Sequence, residues 1–77
     1  MNQAIFERER VHADALARID ARHADYWQGY GVGVRRAHLG DAFSDPTEHA
    51  RWLALADSGD RRDAARGRGY RDGLAVG

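Results

Sequence analysis

Apolar and amphipathic residues recur along the first half of the chain with the period of a helix. At ~100° per residue, Ile5, His12, Leu16, Ile19, His23, Tyr26, Trp27, Tyr30, Val34 and Ala37 fall within one sector about 100° wide. Glu7, Arg10, Asp14, Arg18, Asp25, Arg35 and Arg36 lie away from that sector, on the side expected to face water. The pattern predicts one amphipathic helix over about residues 2–38. At 1.5 Å per residue it would be roughly 54 Å long, more than a small globule supports unless something covers its stripe.

The stretch Tyr26-Trp27-Gln28-Gly29-Tyr30-Gly31-Val32-Gly33-Val34 tests that reading. Glycines alternating with Tyr30, Val32 and Val34 also fit a strand or a phosphate-cradling loop. A P-loop needs a preceding strand and a lysine, and this chain has no lysine. Within a helix, each interior glycine costs about 1 kcal/mol relative to alanine. The compensation expected here is close approach of another backbone along Gly29, Gly33 and Ala37, with a kink near 29–33.

Gly40 is placed to stop the first helix. Asp45 as cap, Pro46 at the first helical position and Glu48 three residues after the cap open a second, over about residues 46–57. Its inner face is His49, Trp52, Leu53 and Ala56. Ser58 and Gly59 end it, and Asp60 caps a third helix over about residues 61–75. There Gly69 and Gly73 repeat the spacing of Gly29 and Gly33. Both stretches read Gly-Tyr-x-x-Gly-aliphatic, as an internal duplication would leave them, although six positions in a glycine-rich chain also match by chance. Either way, Gly29/Gly33 and Gly69/Gly73 are expected at close helix-helix contacts, within one chain or across a homodimer. The fold class is all-α: a long helix with two shorter ones folded back on it, in one small domain spanning residues 1–77.

Composition narrows function by exclusion. Twelve basic residues, all arginine, balance twelve acids, so bulk charge does not hold this chain to nucleic acid. The opening Met1-Asn2-Gln3-Ala4-Ile5-Phe6-Glu7-Arg8 lacks the pattern of a signal peptide and no apolar run approaches 18 residues, which points to a cytoplasmic protein without membrane segments. A chain of this size buries only about 60% of its unfolded surface, and without cysteine it has no disulfide or thiolate site to stabilise it. Self-association or docking on a partner is the remaining route.

Catalysis finds no candidates: there is no cysteine, no carboxylate pair on an apolar wall, and the two serines, Ser44 and Ser58, sit at helix boundaries. His12 and His23 share the apolar stripe but lie about 16 Å apart along a helix, too far to hold one ion, so neither a metal nor a cofactor is expected. Five arginines on the third helix, Arg61, Arg62, Arg66, Arg68 and Arg71, raise a helix-turn-helix DNA-binding reading. They scatter around the axis among Asp60, Asp63 and Asp72, so nucleic acid is not the favoured partner.

The segment Arg68-Gly69-Tyr70-Arg71-Asp72-Gly73-Leu74-Ala75 resembles the opening motif of the ribosome modulation factor family, and Gln28-Gly29-Tyr30 to Gly33 is similar to the same pattern. The resemblance covers about a quarter of the chain. It implies a small helical ribosome binder with Arg68, Tyr70 and Arg71 on RNA.

Aromatic residues and arginine are the usual anchors of protein interfaces. Tyr26, Trp27, Tyr30, Trp52 and Tyr70 exceed what so small a core easily hides, and with Arg68 and Arg71 they are the expected partner-binding residues. The resulting expectation is a non-catalytic protein-binding module that occupies a surface of a larger protein or ribonucleoprotein assembly. A phage or mobile-element inhibitor such as an anti-CRISPR would act in this way. The alternatives are the ribosome binder and the small DNA-binding regulator.

Overall fold

Asn2 starts the first helix: its backbone is extended (φ −83°, ψ 164°) and its side-chain oxygen accepts the Ile5 N–H at 2.9 Å. That bond satisfies one of the donors a helix start leaves free. The computed structural model describes residues 2–76. Four helices follow: α1 (Gln3–Ile19), α2 (Ala24–Leu39), α3 (Pro46–Leu55) and α4 (Arg61–Leu74), with short 3-10 turns at Ala21–His23 and Gly40–Ala42. The all-helical expectation holds, and no strand occurs among the described residues. The expected caps form too. Asp45 accepts the Glu48 N–H, and Asp60 accepts the N–H groups of Arg62 and Asp63. Gly40, at φ 65°, stops α2 in a conformation that side chains avoid. α3 ends two residues early, where the chain turns through Ala56 and Asp57.

The long helix expected over residues 2–38 is two helices, and the break lies at Asp20, not at the glycines. Asp20 leaves the helical region (φ −99°, ψ 74°), and its carboxylate accepts the Trp27 indole N–H at 3.2 Å and faces the His23 ring at 3.1 Å. Breaking there lets the first half cover the second. α1 lies antiparallel on α2, with Phe6 stacked on His38 at 4.2 Å and the Tyr30 hydroxyl donating to Glu9 at 3.0 Å. The break also resets the helical phase. The buried residues of α1 are Phe6 and Ala13, whereas His12, Ile19, His23 and Ala37, assigned above to the apolar stripe, are exposed. Ile19 is 77% exposed.

α2 runs unbroken through Gly29, Gly31 and Gly33, none of which has positive φ. These glycines matter for what they leave out. A Cβ on Gly29 would overlap the carbonyl oxygen of Arg66, and one on Gly33 that of Tyr70. Conversely, a Cβ on Gly69 would overlap the carbonyl of Tyr26, and one on Gly73 that of Tyr30. Contacting positions on the two helices rise together, so α2 and α4 run parallel. Both glycine strips meet within one chain. Gly67 plays the same part on the other side of α4, where a Cβ would strike the backbone at Leu55 and Ala56.

The helices form a layer in the order α1, α2, α4, α3, measuring 35 × 30 × 15 Å. An approximate twofold axis runs between α2 and α4. It relates Gly29 to Gly69, Tyr30 to Tyr70 and Gly33 to Gly73, and it extends to the outer helices, since Tyr30 bonds Glu9 and Tyr70 bonds His49 at matching positions. The same register aligns Asp20 with Asp60, Arg22 with Arg62 and Ala24 with Ala64. The chain is thus built as two similar helical hairpins. Because a single layer has little interior, its buried apolar side chains are few: Phe6, Ala13, Val34, Ala64 and Tyr70.

Candidate functional site

Three of the expected interface residues form one cluster. On α2, Tyr26 and Trp27 meet edge to face at 5.0 Å, and Trp27 meets Tyr30 at 5.3 Å. Each is half-buried and each is tethered: Trp27 to Asp20, Tyr30 to Glu9, and Tyr26 to Asp72 of α4 at 2.5 Å. Tethered aromatic rings present area without losing side-chain entropy on binding. Partial burial and then the neighbouring carboxylates, Asp72 for Tyr26 and Glu9 for Tyr30, push both phenols up to about 12. Desolvation tends to raise the Asp20 carboxyl, but hydrogen bonds from Trp27 and His23 outweigh it and hold the group below its ordinary value.

Trp52 and Tyr70 lie elsewhere. Trp52, on α3, stacks on Tyr70 at 5.3 Å, and the Tyr70 hydroxyl sits 2.6 Å from His49 Nδ1. Tyr70 is 0% exposed, so the residue expected to face a partner is part of the core. Its neighbours Arg68, Arg71 and Asp72 are exposed, which is why the segment reads as surface in sequence. Of the α4 arginines, Arg66 is tied to Asp25 and Asp63, and Arg62 to Asp25. Among the described residues Arg61, Arg68 and Arg71 have no side-chain partner. The two histidines of the expected stripe part company: His12 lies against Trp27 at 5.9 Å and His23 against Asp20.

Two grooves flank the cluster. The larger, about 590 Å³, lies between α1 and α2, with Val11, Ala17, Trp27 and Val32 as its apolar members and Arg10, Arg18 and Arg35 around Asp14. Arg35 reaches Asp14 across the helices at 3.2 Å and Arg10 reaches it along α1 at 3.4 Å. The smaller, about 280 Å³, lies where α2 and α4 begin, and Tyr26 lines it among arginines. Trp27 therefore serves one groove and Tyr26 the other. The sequence reading missed Val11, Val32 and Arg22. Val11 and Val32 are apolar residues outside the stripe that was traced, and Arg22 matters only because folding brings it beside α4.

Comparison of the chain with protein-family models, with curated proteins and with solved structures found no match. Among the described residues no helix is long and apolar enough to cross a membrane.

Proposed function

We propose that this protein is a non-catalytic binding module that occupies a surface of a larger protein or ribonucleoprotein assembly, docking through the groove between α1 and α2. The observation that supports this best is Val11, a β-branched apolar residue left 55% exposed in a groove that also holds the tethered indole of Trp27. A concave apolar floor with an oriented aromatic and an arginine rim has the anatomy of an interface centre. Arg10, Arg18 and Arg35 outnumber Asp14 there, which favours a partner segment carrying acidic residues beside its apolar ones.

Among the described residues the buried Ser44 hydroxyl has no hydrogen-bond partner, and the Ser58 hydroxyl accepts the Asp60 N–H in a turn. Such a module acts by exclusion. An inhibitor carried by a phage or mobile element, such as an anti-CRISPR, is one protein of this kind.

The test is affinity capture from the source cell with the tagged full chain and its Val11→Asp variant, in parallel. A defined protein set should remain bound to the wild type in about 1 M salt, where the Debye length is about 3 Å, and be absent from the variant at equal helix content. Identical capture by both proteins would refute docking in this groove.

A further inference from the structure

At the end of the layer where α2 and α4 both begin, folding leaves positive charge uncompensated. Arg22, from the turn before α2, and Arg61, Arg62 and Arg68, from α4, line the smaller groove. One carboxylate lines it, that of Asp25, and Arg62 and Arg66 already hold it at 3.1 and 2.9 Å. The side chains of Arg22, Arg61 and Arg68 make no ion pair or hydrogen bond with any described residue. Arg10, Arg35, Arg36 and Arg51 each reach a carboxylate, and although Arg8, Arg18 and Arg71 reach none among the described residues, it is Arg22, Arg61 and Arg68 that share one groove. Unpaired guanidinium groups around one concavity repel one another, and an anion entering it relieves that repulsion.

The shape of the groove narrows the anion. Its volume of about 280 Å³ is too small for a helix and suits one compact group. Guanidinium forks match the oxygens of a phosphate, and several converging forks favour a multiply charged oxyanion over a lone carboxylate. Tyr26 lines the same groove, its position fixed by the hydrogen bond to Asp72, and supplies an aromatic surface beside the cations. Cations next to an aromatic ring are the pairing that holds a nucleotide unit, phosphate on one and base on the other.

We propose that this groove binds a phosphate carried on a ligand of about one nucleotide in size, with the phosphate against Arg22, Arg61 and Arg68 and the base or sugar against Tyr26. The unit comes either as a free nucleotide or as one link of a single strand.

The test is a titration of the full chain, followed by NMR of the arginine side-chain and tyrosine ring signals. The probes are inorganic phosphate, a nucleoside monophosphate, a short single-stranded oligonucleotide and an oligoglutamate peptide. The nucleoside monophosphate or the oligonucleotide should shift Arg61, Arg68 and Tyr26. Replacing Arg61 and Arg68 together by Gln, or Arg22→Gln alone, should weaken that binding by about tenfold or more. A matched double variant at Arg8 and Arg51, also to Gln, should leave it within about twofold, because a local site differs from bulk charge.

Binding of the oligonucleotide alone makes a strand the source, and binding of the monophosphate as well makes it the free nucleotide; both outcomes support the site. Three results would overturn it: equal affinity for oligoglutamate, equal loss in the Arg8 and Arg51 variant, or no shift with any phosphate probe. Inorganic phosphate binding as tightly as the nucleotides would overturn the role of Tyr26. Helix content measured alongside separates loss of binding from loss of fold.

Discussion

Replacing Gly69 by alanine should destabilise the protein, although helix propensity alone favours the change by about 1 kcal/mol. Gly69 lies mid-helix in α4, and its Cβ would overlap the Tyr26 carbonyl oxygen and come within 2.8 Å of the Tyr30 nitrogen. Both obstacles are backbone atoms of an intact helix, so neither can rotate aside. The two central helices would have to move apart, loosening the closest contact in the layer. Overpacking of this kind costs about 1–3 kcal/mol. The upper end applies where backbone meets backbone, so the net loss after the propensity gain is about 2 kcal/mol. For a domain of this size that lowers Tm by roughly 8–16 °C, a large part of a total stability on the order of 4–12 kcal/mol. Thermal unfolding followed by far-UV circular dichroism measures it. Gly59→Ala is the control: nothing lies within 4 Å of its Cβ and its φ is not positive. That change should be neutral or stabilising by up to about 1 kcal/mol. A Gly69→Ala protein as stable as the wild type would refute the close parallel packing of α2 and α4, and with it the twofold arrangement.

Tyr70→Phe removes the hydroxyl that faces His49 Nδ1 at 2.6 Å and leaves that nitrogen without its partner in a half-buried setting. A loss of about 1–2 kcal/mol is expected in urea unfolding, and an unchanged midpoint would show that water replaces the bond. The tyrosines also predict the alkaline limit. Tyr26 and Tyr30 are pushed up to about 12, and burial raises Tyr70 as well, so the folded state favours the neutral phenol. Their contribution to stability is therefore fully present below the unfolded tyrosine value of about 10 and is lost as pH rises towards 12. Spectrophotometric titration should find Tyr26 and Tyr30 still neutral near pH 10 while the helical signal persists; either of these two phenols ionising there in the folded protein would contradict the hydrogen bonds to Asp72 and Glu9.

The sequence by itself determined what is local. The Asp45-Pro46-Thr47-Glu48 start, the Asp60 cap and the Gly40 stop are decided by hydrogen bonds and backbone freedom within a few residues, and each lies where the pattern places it. The four-residue spacing of Gly29/Gly33 and Gly69/Gly73 likewise announced close helix contacts, because a missing Cβ is useful only where another backbone comes near. What the tertiary structure decided is everything that depends on which surfaces meet. A periodic stripe carries no information on whether a rod continues or folds back, and the fold at Asp20 is favoured because α1 then covers α2 in a chain too short to cover a rod otherwise. That reversal moved Ile19 and His12 outward and brought Phe6 and Ala13 in. Tyr70 shows the same limit at a single residue: flanked by charge in sequence, it is buried because Trp52 and His49 arrive from another helix. Both grooves are likewise joined from separated segments, so their arginines acquire a shared location only when the helices pack.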